Sequence, residues 1–141
     1  MKNYIIASNR NYHPDWFEIK NPDVLENYLK SYKPDRVYFP FWSWKIPKEI
    51  LDNYKCFGFH TGVLPGHAGG SPIQNLIRSG ITDTTVTLFR LNEDIDGGEV
   101  LLHRPISLYG SLEEILMRIS EEIMEMIDVQ ENIGQSNTTK H

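Results

Sequence analysis

Residues 59–77 read FHTGVLPGHAGGSPIQNLI: a histidine closing an apolar run, a loop with four glycines, then a proline-started helix. His60 is the residue there with chemistry to offer, since an imidazole can take and give a proton near neutral pH. It needs an orienting partner, and a carboxylate is the usual one. Asp96 is the candidate, at the end of the next strand in the sequence, and an aspartate beside the ring would favour its charged form. A lone histidine is otherwise a surface residue or a satisfied core residue. Gly62, Gly66, Gly69 and Gly70 let backbone come close to a ligand, or simply make a long turn into a capped helix. His67 lies in the same loop and could touch a ligand, whereas His13, His103 and His141 are weaker candidates. Phe41, Trp42, Ser43 and Trp44 form an aromatic loop that suits either a planar heterocycle or core and dimer packing. Asp94 and Asp96 offer too few neighbouring ligands for calcium, and no His/Cys/carboxylate set has zinc spacing, so no metal is expected. The phosphate-loop, G-x-G-x-x-G and G-x-S-x-G patterns are absent from the sequence.

The surrounding pattern says what must position these groups. Residues 3–8 are an apolar run that predicts a buried strand, 9–15 a loop, and 16–20 a weaker strand. Asn21-Pro22 opens a helix with Val24, Leu25, Tyr28 and Leu29 on one face, ended by Pro34. Strands follow at 36–40 and 55–60, with a short helix at 46–54 between them. Ser71, Pro72 and Gln74 suit the start of a third helix, which Gly80 stops. Residues 84–91 and 99–108 predict two strands around the turn 92–98. Ser111 and Glu114 form a capping box ahead of Leu112, Ile115, Leu116, Ile119, Ile123, Met126 and Ile127. Alternating strands and helices imply an α/β, Rossmann-like fold with a mostly parallel sheet ending in a β-hairpin. Ligands in such sheets bind at the carboxyl ends of strands, where His60 and the loop carrying Asp94 and Asp96 both lie. The expected organisation is one domain over 1–128 and a polar, frayed tail over 129–141.

The chain has 141 residues, 40% hydrophobic and 23% charged, with net charge −5. That composition fits one soluble globular domain, and the lack of a basic stripe disfavours nucleic acid as the main ligand. The single cysteine, Cys56, sits in an apolar strand pattern and reads as packing; one cysteine makes no internal disulfide, which fits a reducing cytoplasm. No apolar run reaches the roughly 20 residues of a membrane helix.

Residues 59–101, FHTGVLPGHAGGSPIQNLIRSGITDTTVTLFRLNEDIDGGEVL, resemble the core of the folate-dependent formyltransferase family, in a truncated form. His60 matches the family histidine, Leu64-Pro65 the loop, Gly69 its glycine, Pro72-Ile73 the helix start, Val86-Thr87 the strand, and Asp96 with Gly98 the D-x-G turn. Residues 38–60 also resemble a subgroup thought to act on amino sugars. The resemblance implies transfer of a formyl group from N10-formyltetrahydrofolate to a primary amine, the amine of a nucleotide-linked sugar. It implies His60 and Asp96 as catalytic residues. The pterin would lie against Phe41, Trp42, Ser43, Trp44, Asn92, Asp94 and Ile95, and the amine substrate against Thr61, Gly69, Gly70, Gln74 and Asn75. The sequence departs from the family where an asparagine is replaced by Gly58, an arginine by Ala68 and a tryptophan by Asn75. Those departures keep open a ligand-binding shell without catalysis, and a hydrolase that passes the formyl group to water. The front of the chain has no room for the family's first helix, so a partner chain, as in a homo-oligomer, or a rearranged N-terminus is expected to cover a bare sheet face.

Overall fold

The computed structural model of the protein describes residues 3–10, 12–42, 45–61, 72–92 and 98–139. The elements run β1 (Tyr4–Ser8), β2 (Phe17–Glu18), α1 (Pro22–Tyr32), β3 (Arg36–Phe39), α2 (Lys48–Asn53), β4 (Lys55–Thr61), α3 (Pro72–Arg78), β5 (Asp83–Arg90), β6 (Val100–Ser107) and α4 (Leu112–Thr139). The strands form one mixed sheet in the order β2-β1-β3-β4-β5-β6. β1, β3 and β4 are parallel, with Ile5 opposite Val37 and Val37 opposite Cys56. The last two strands are antiparallel: Arg90 N donates to Glu99 O (2.8 Å) near the turn, and Leu108 N donates to Thr82 O (2.8 Å) at the far end. The expected Rossmann-like α/β sheet closing in a hairpin is therefore present.

The chain divides into two compact units, Met1–Phe59 with Phe89–Val100, and His60–Leu88 with Leu101–His141. In the first, the alternation of strand side chains puts Ile5, Ala7, Val37, Phe39 and Cys56 into one cluster with Leu25 and Leu29 of α1 and Ile50 of α2. The helix is set there by its ends. Asn21 Oδ1 accepts from Val24 N at 3.0 Å, Pro22 begins the helix, and Lys33 turns left-handed (φ 51°) with its N–H on Leu29 O. Val24 departs from the expected face: it is exposed while Leu25 and Leu29 are buried, because the inward stripe is centred one position later. The alternate strand residues Ile6, Tyr38 and Phe57 are buried too, so these strands have no bare face and the argument for a second copy drawn from one loses its premise.

The front of the chain adds a short strand to the sheet. β2 pairs in parallel with β1 (Ala7 opposite Phe17), and Ile19 N donates to Ser8 O at 2.8 Å. Parallel strands are normally joined through about a dozen residues or more, usually a helix. Here the connection is residues 9–16, whose described part holds no helix, and buried Trp16 anchors its end. β2 is shorter than the predicted strand and ends the sheet.

In the second unit, α4 is positioned by the predicted capping box: Glu114 N donates to Ser111 Oγ (3.1 Å) and Ser111 N to Glu114 Oε1 (2.9 Å). Ile115, Ile119, Ile123, Met126 and Ile127 are its buried stripe, whereas Leu112 is exposed at the first turn. Arg118 Nη1 donates to Ser107 O (2.6 Å) and Tyr109 O (3.0 Å), tying the helix to the end of β6. The helix continues to Thr139, through most of the segment whose polar composition predicts fraying.

Two outcomes follow from this packing. Ser111→Ala is expected to cost about 1 kcal/mol in denaturant unfolding, the usual worth of such a cap. The bonds from Ser111 hold the Glu114 carboxyl below its ordinary range. A depressed folded-state pKa contributes stability above the unfolded value, lost as pH falls through the folded one, so the melting-temperature gap between wild type and Glu114→Ala should close on acidification. Burial pushes the Cys56 thiol up to about 12, with Arg90 pulling the other way. An Ellman's reagent assay should therefore find this thiol inert in the native protein and reactive only on unfolding.

Candidate functional site

The sequence candidates fall in both units. In the first unit, the loop after β1 and the residues after β3 build an aromatic cluster. Phe41 takes a left-handed backbone (φ 51°), which a non-glycine residue adopts at a cost of about 1–3 kcal/mol. Its ring meets Tyr12 edge-on (5.0 Å, 86°) and Trp16 at a tilt (5.9 Å, 36°), while His13 stacks on Trp16 (5.9 Å, 25°). Those contacts over-determine the strained residue. His13 is itself fixed by Asp15 N, which donates to Nδ1 at 3.0 Å. Trp42 turns the other way and packs on Phe39 (5.1 Å, 62°). Its Nε1 is enclosed and has no acceptor among the described residues. A buried donor without a partner is uncommon and marks a place where a carbonyl oxygen or ring nitrogen would be welcome. The residues present thus suit a flat, hydrogen-bonding heterocycle. Asn92, two positions beyond β5, is exposed.

The same unit explains one departure from the family pattern. Leu91 N donates to Cys56 O at 2.9 Å, which draws the end of β5 against β4. A Cβ built on Gly58 would stand 3.0 Å from Phe89 Cζ and 3.2 Å from Leu91 Cδ2. An asparagine there would need those two apolar side chains to give way by a few tenths of an ångström. Gly98 is more tightly constrained still: a Cβ there would come 2.0 Å from Arg90 O and 2.9 Å from Phe89 Cδ2. The glycine of the D-x-G turn is therefore required by close backbone approach.

In the second unit, His60 and Thr61 are half-buried at the carboxyl end of β4, as the sequence placed them. Ile73 anchors α3, leaving Gln74 and Asn75 exposed. The Asn75 carbonyl accepts from Ser79 N (3.1 Å) and Ser79 Oγ (2.9 Å), and Gly80 ends the helix at φ 78°. Ser43, Trp44, His67, Ala68, Gly69, Gly70, Ser71, Asp94, Ile95 and Asp96 lie outside the described residues. Among the described residues no group of three His, Cys, Asp or Glu could hold a metal ion. No helix there is long and apolar enough to cross a membrane.

Sequence reasoning missed Tyr12 and Trp16 as supports of Phe41, although the aromatic density of 12–17 was a visible signal. It also missed Phe89 and Leu91, which look like ordinary strand residues until the register of β5 on β4 is known. Gly58→Asn should therefore not restore the family's amide donor. It is expected to destabilise the protein by about 1–3 kcal/mol through overpacking, read as a lower urea midpoint, without a gain in any formyl-transfer activity.

A formyl transferase family model matches residues 6–127. Methionyl-tRNA formyltransferase from Francisella tularensis is 37% identical over 84 residues, which are 58% of this chain and 26% of that protein. A methionyl-tRNA formyltransferase structure from Clostridium thermocellum superposes with TM-score 0.74 at 35% identity, covering 92% of this chain and 66% of that one. HypX from Aquifex aeolicus in complex with tetrahydrofolic acid (TM-score 0.66, 24% identity, 92% of this chain and 26% of that one) shares the fold. The chain thus spans about a quarter of the length of the curated relatives it matches. With the family pattern spanning the sheet and most of α4, the chain belongs to the formyl transferase family.

Proposed function

We propose that the protein transfers a formyl group from N10-formyltetrahydrofolate to a primary amine. The observation that carries this reading is the family match over 6–127, with the family histidine, His60, at the carboxyl end of β4. Phe41 and Trp42 would meet the pterin, with Ser43, Trp44, Asn92, Asp94 and Ile95 beside it. Thr61, Gly69, Gly70, Gln74 and Asn75 would receive the amine. The relatives' names include methionyl-tRNA formyltransferase and glycinamide ribonucleotide transformylase, and neither names an amino sugar. The nucleotide-linked amino sugar rests on the resemblance of residues 38–60 alone.

In this mechanism the amine nitrogen attacks the formyl carbon and negative charge gathers on the formyl oxygen. His60, as imidazolium, meets that charge, and Asp96 holds the imidazolium and receives the proton the amine sheds. The C–N bond to the folate nitrogen then breaks as that nitrogen regains a proton. A second reading has a specific observation in its favour: with Phe89 and Leu91 against Gly58, the family's amide donor has no equivalent at that position, and losing one such donor costs about 10²–10³ in rate. The protein would then bind folate without effective transfer.

Mass spectrometry of candidate amines, amino-sugar nucleotides among them, incubated with N10-formyltetrahydrofolate and the protein tests both. A formylated product that falls by about 10²–10⁴-fold in His60→Ala and Asp96→Asn, with unchanged melting temperatures, supports the transferase. Near-normal turnover in both variants removes the mechanism. Quenching of tryptophan fluorescence by folate without product selects the binding reading, and formate release without an acceptor selects a hydrolase.

A further inference from the structure

Arg90, the last residue of β5, is a cation to which the family resemblance assigns no role. Its guanidinium carbon lies 5.6 Å from the centre of the Phe57 ring. Phe57 stacks on Tyr38 (4.8 Å, 18°), and Tyr38 meets Tyr4 edge-on (5.6 Å, 81°). Tyr38 and Phe57 are buried, so the guanidinium rests on a rigid aromatic platform crossing β1, β3 and β4. Such a surface holds the planar fork in one orientation. Its Nε is enclosed and has no hydrogen-bond partner among the described residues. The chain has 19 acidic residues against 14 basic ones, so carboxylates are plentiful, yet none of the described ones pairs with Arg90. Arg118 shows the contrast, with its Nη1 bonded to two carbonyls. An enclosed guanidinium donor left without an acceptor is what a structure leaves for a group that comes from outside.

We propose that Arg90 recognises an anion: its guanidinium, held on the face of Phe57, receives a carboxylate or phosphate of the molecule bound at the carboxyl end of β5. A small rotation of the side chain that uncovers Nε lets an oxyanion taken side-on span Nε and one terminal nitrogen, supplying the acceptor that Nε lacks. The ligand chemistry is a bidentate oxyanion, from either of two sources: a carboxylate on the folate or a phosphate on the amine acceptor. Both sources rest on the formyl-transfer reading, whereas the oxyanion contact itself rests on Arg90 alone.

The test titrates wild type, Arg90→Met and Arg90→Lys with 5-formyltetrahydrofolate, with 6-methyltetrahydropterin, which lacks carboxylates, and with inorganic pyrophosphate. Tryptophan fluorescence and melting temperature are followed together. Arg90→Met should bind one of the two anionic probes at least tenfold more weakly while its affinity for 6-methyltetrahydropterin stays the same. Arg90→Lys, which keeps the charge and loses the fork, should fall between. Loss confined to 5-formyltetrahydrofolate identifies the carboxylate, and loss confined to pyrophosphate identifies the phosphate. The unliganded melting temperature of Arg90→Met should equal or exceed that of wild type, since an unbonded donor has been removed. Anion affinities within twofold of wild type, loss of all three probes together with a lowered melting temperature, or a wild type that binds neither anion would each overturn the proposal. A wild type that binds pyrophosphate but neither pterin would sink the folate reading and leave Arg90 to be decided by pyrophosphate alone.

Discussion

The close approach of β5 to β4 at Gly58 is the constraint on which the first unit's part of the site depends. One hydrogen bond, Leu91 N to Cys56 O, draws the end of β5 in, and the absent side chain at Gly58 lets Phe89 and Leu91 fill the space beside it. The same register sets Arg90 over Phe57 and lays Gly98 against the Arg90 carbonyl. A larger residue at Gly98 would push against the Arg90 backbone, and one at Gly58 would need the Phe89 and Leu91 side chains to give way. Where the resemblance implies an asparagine, this chain has a glycine flanked by two apolar side chains.

Beside that pair the connection from β1 to β2 is braced by aromatic residues. The connection from β1 to β2 has no helix among its described residues, and Trp16 and Tyr12 pack against Phe41 instead. Those rings hold Phe41 in a backbone conformation it would not choose alone. Trp42 packs against Phe39, its indole N–H without an acceptor among the described residues. The aromatic residues of the β1–β2 connection thus meet those at the carboxyl end of β3.

Cys56 illustrates how the two faces of one strand divide their roles. Its thiol turns toward the Ile50 and Tyr54 carbonyls in the core cluster, where burial keeps it protonated. Its neighbour Phe57 points the other way and carries the guanidinium. The period of two along β4 thus separates an inert packing residue from a candidate binding platform. It also leaves the opposite face of these strands as buried as the first.

Local signals made most elements legible. Asn21-Pro22, Ser111 with Glu114, the β-branched run at 84–91 and the apolar alternation of β1, β3 and β4 each specify their structure through caps and periodicity, which act within a few residues. His60 at a strand's end was legible for the same reason, and the family pattern came from residue types in order. Which residues lie beside Gly58, why Arg90 Nε has no hydrogen-bond partner among the described residues, and how Phe41 is braced depend on contacts between segments far apart in the chain. Only tertiary packing decided those, because side chains on separate strands meet according to register and strand order, and neither is written in the sequence of any one element.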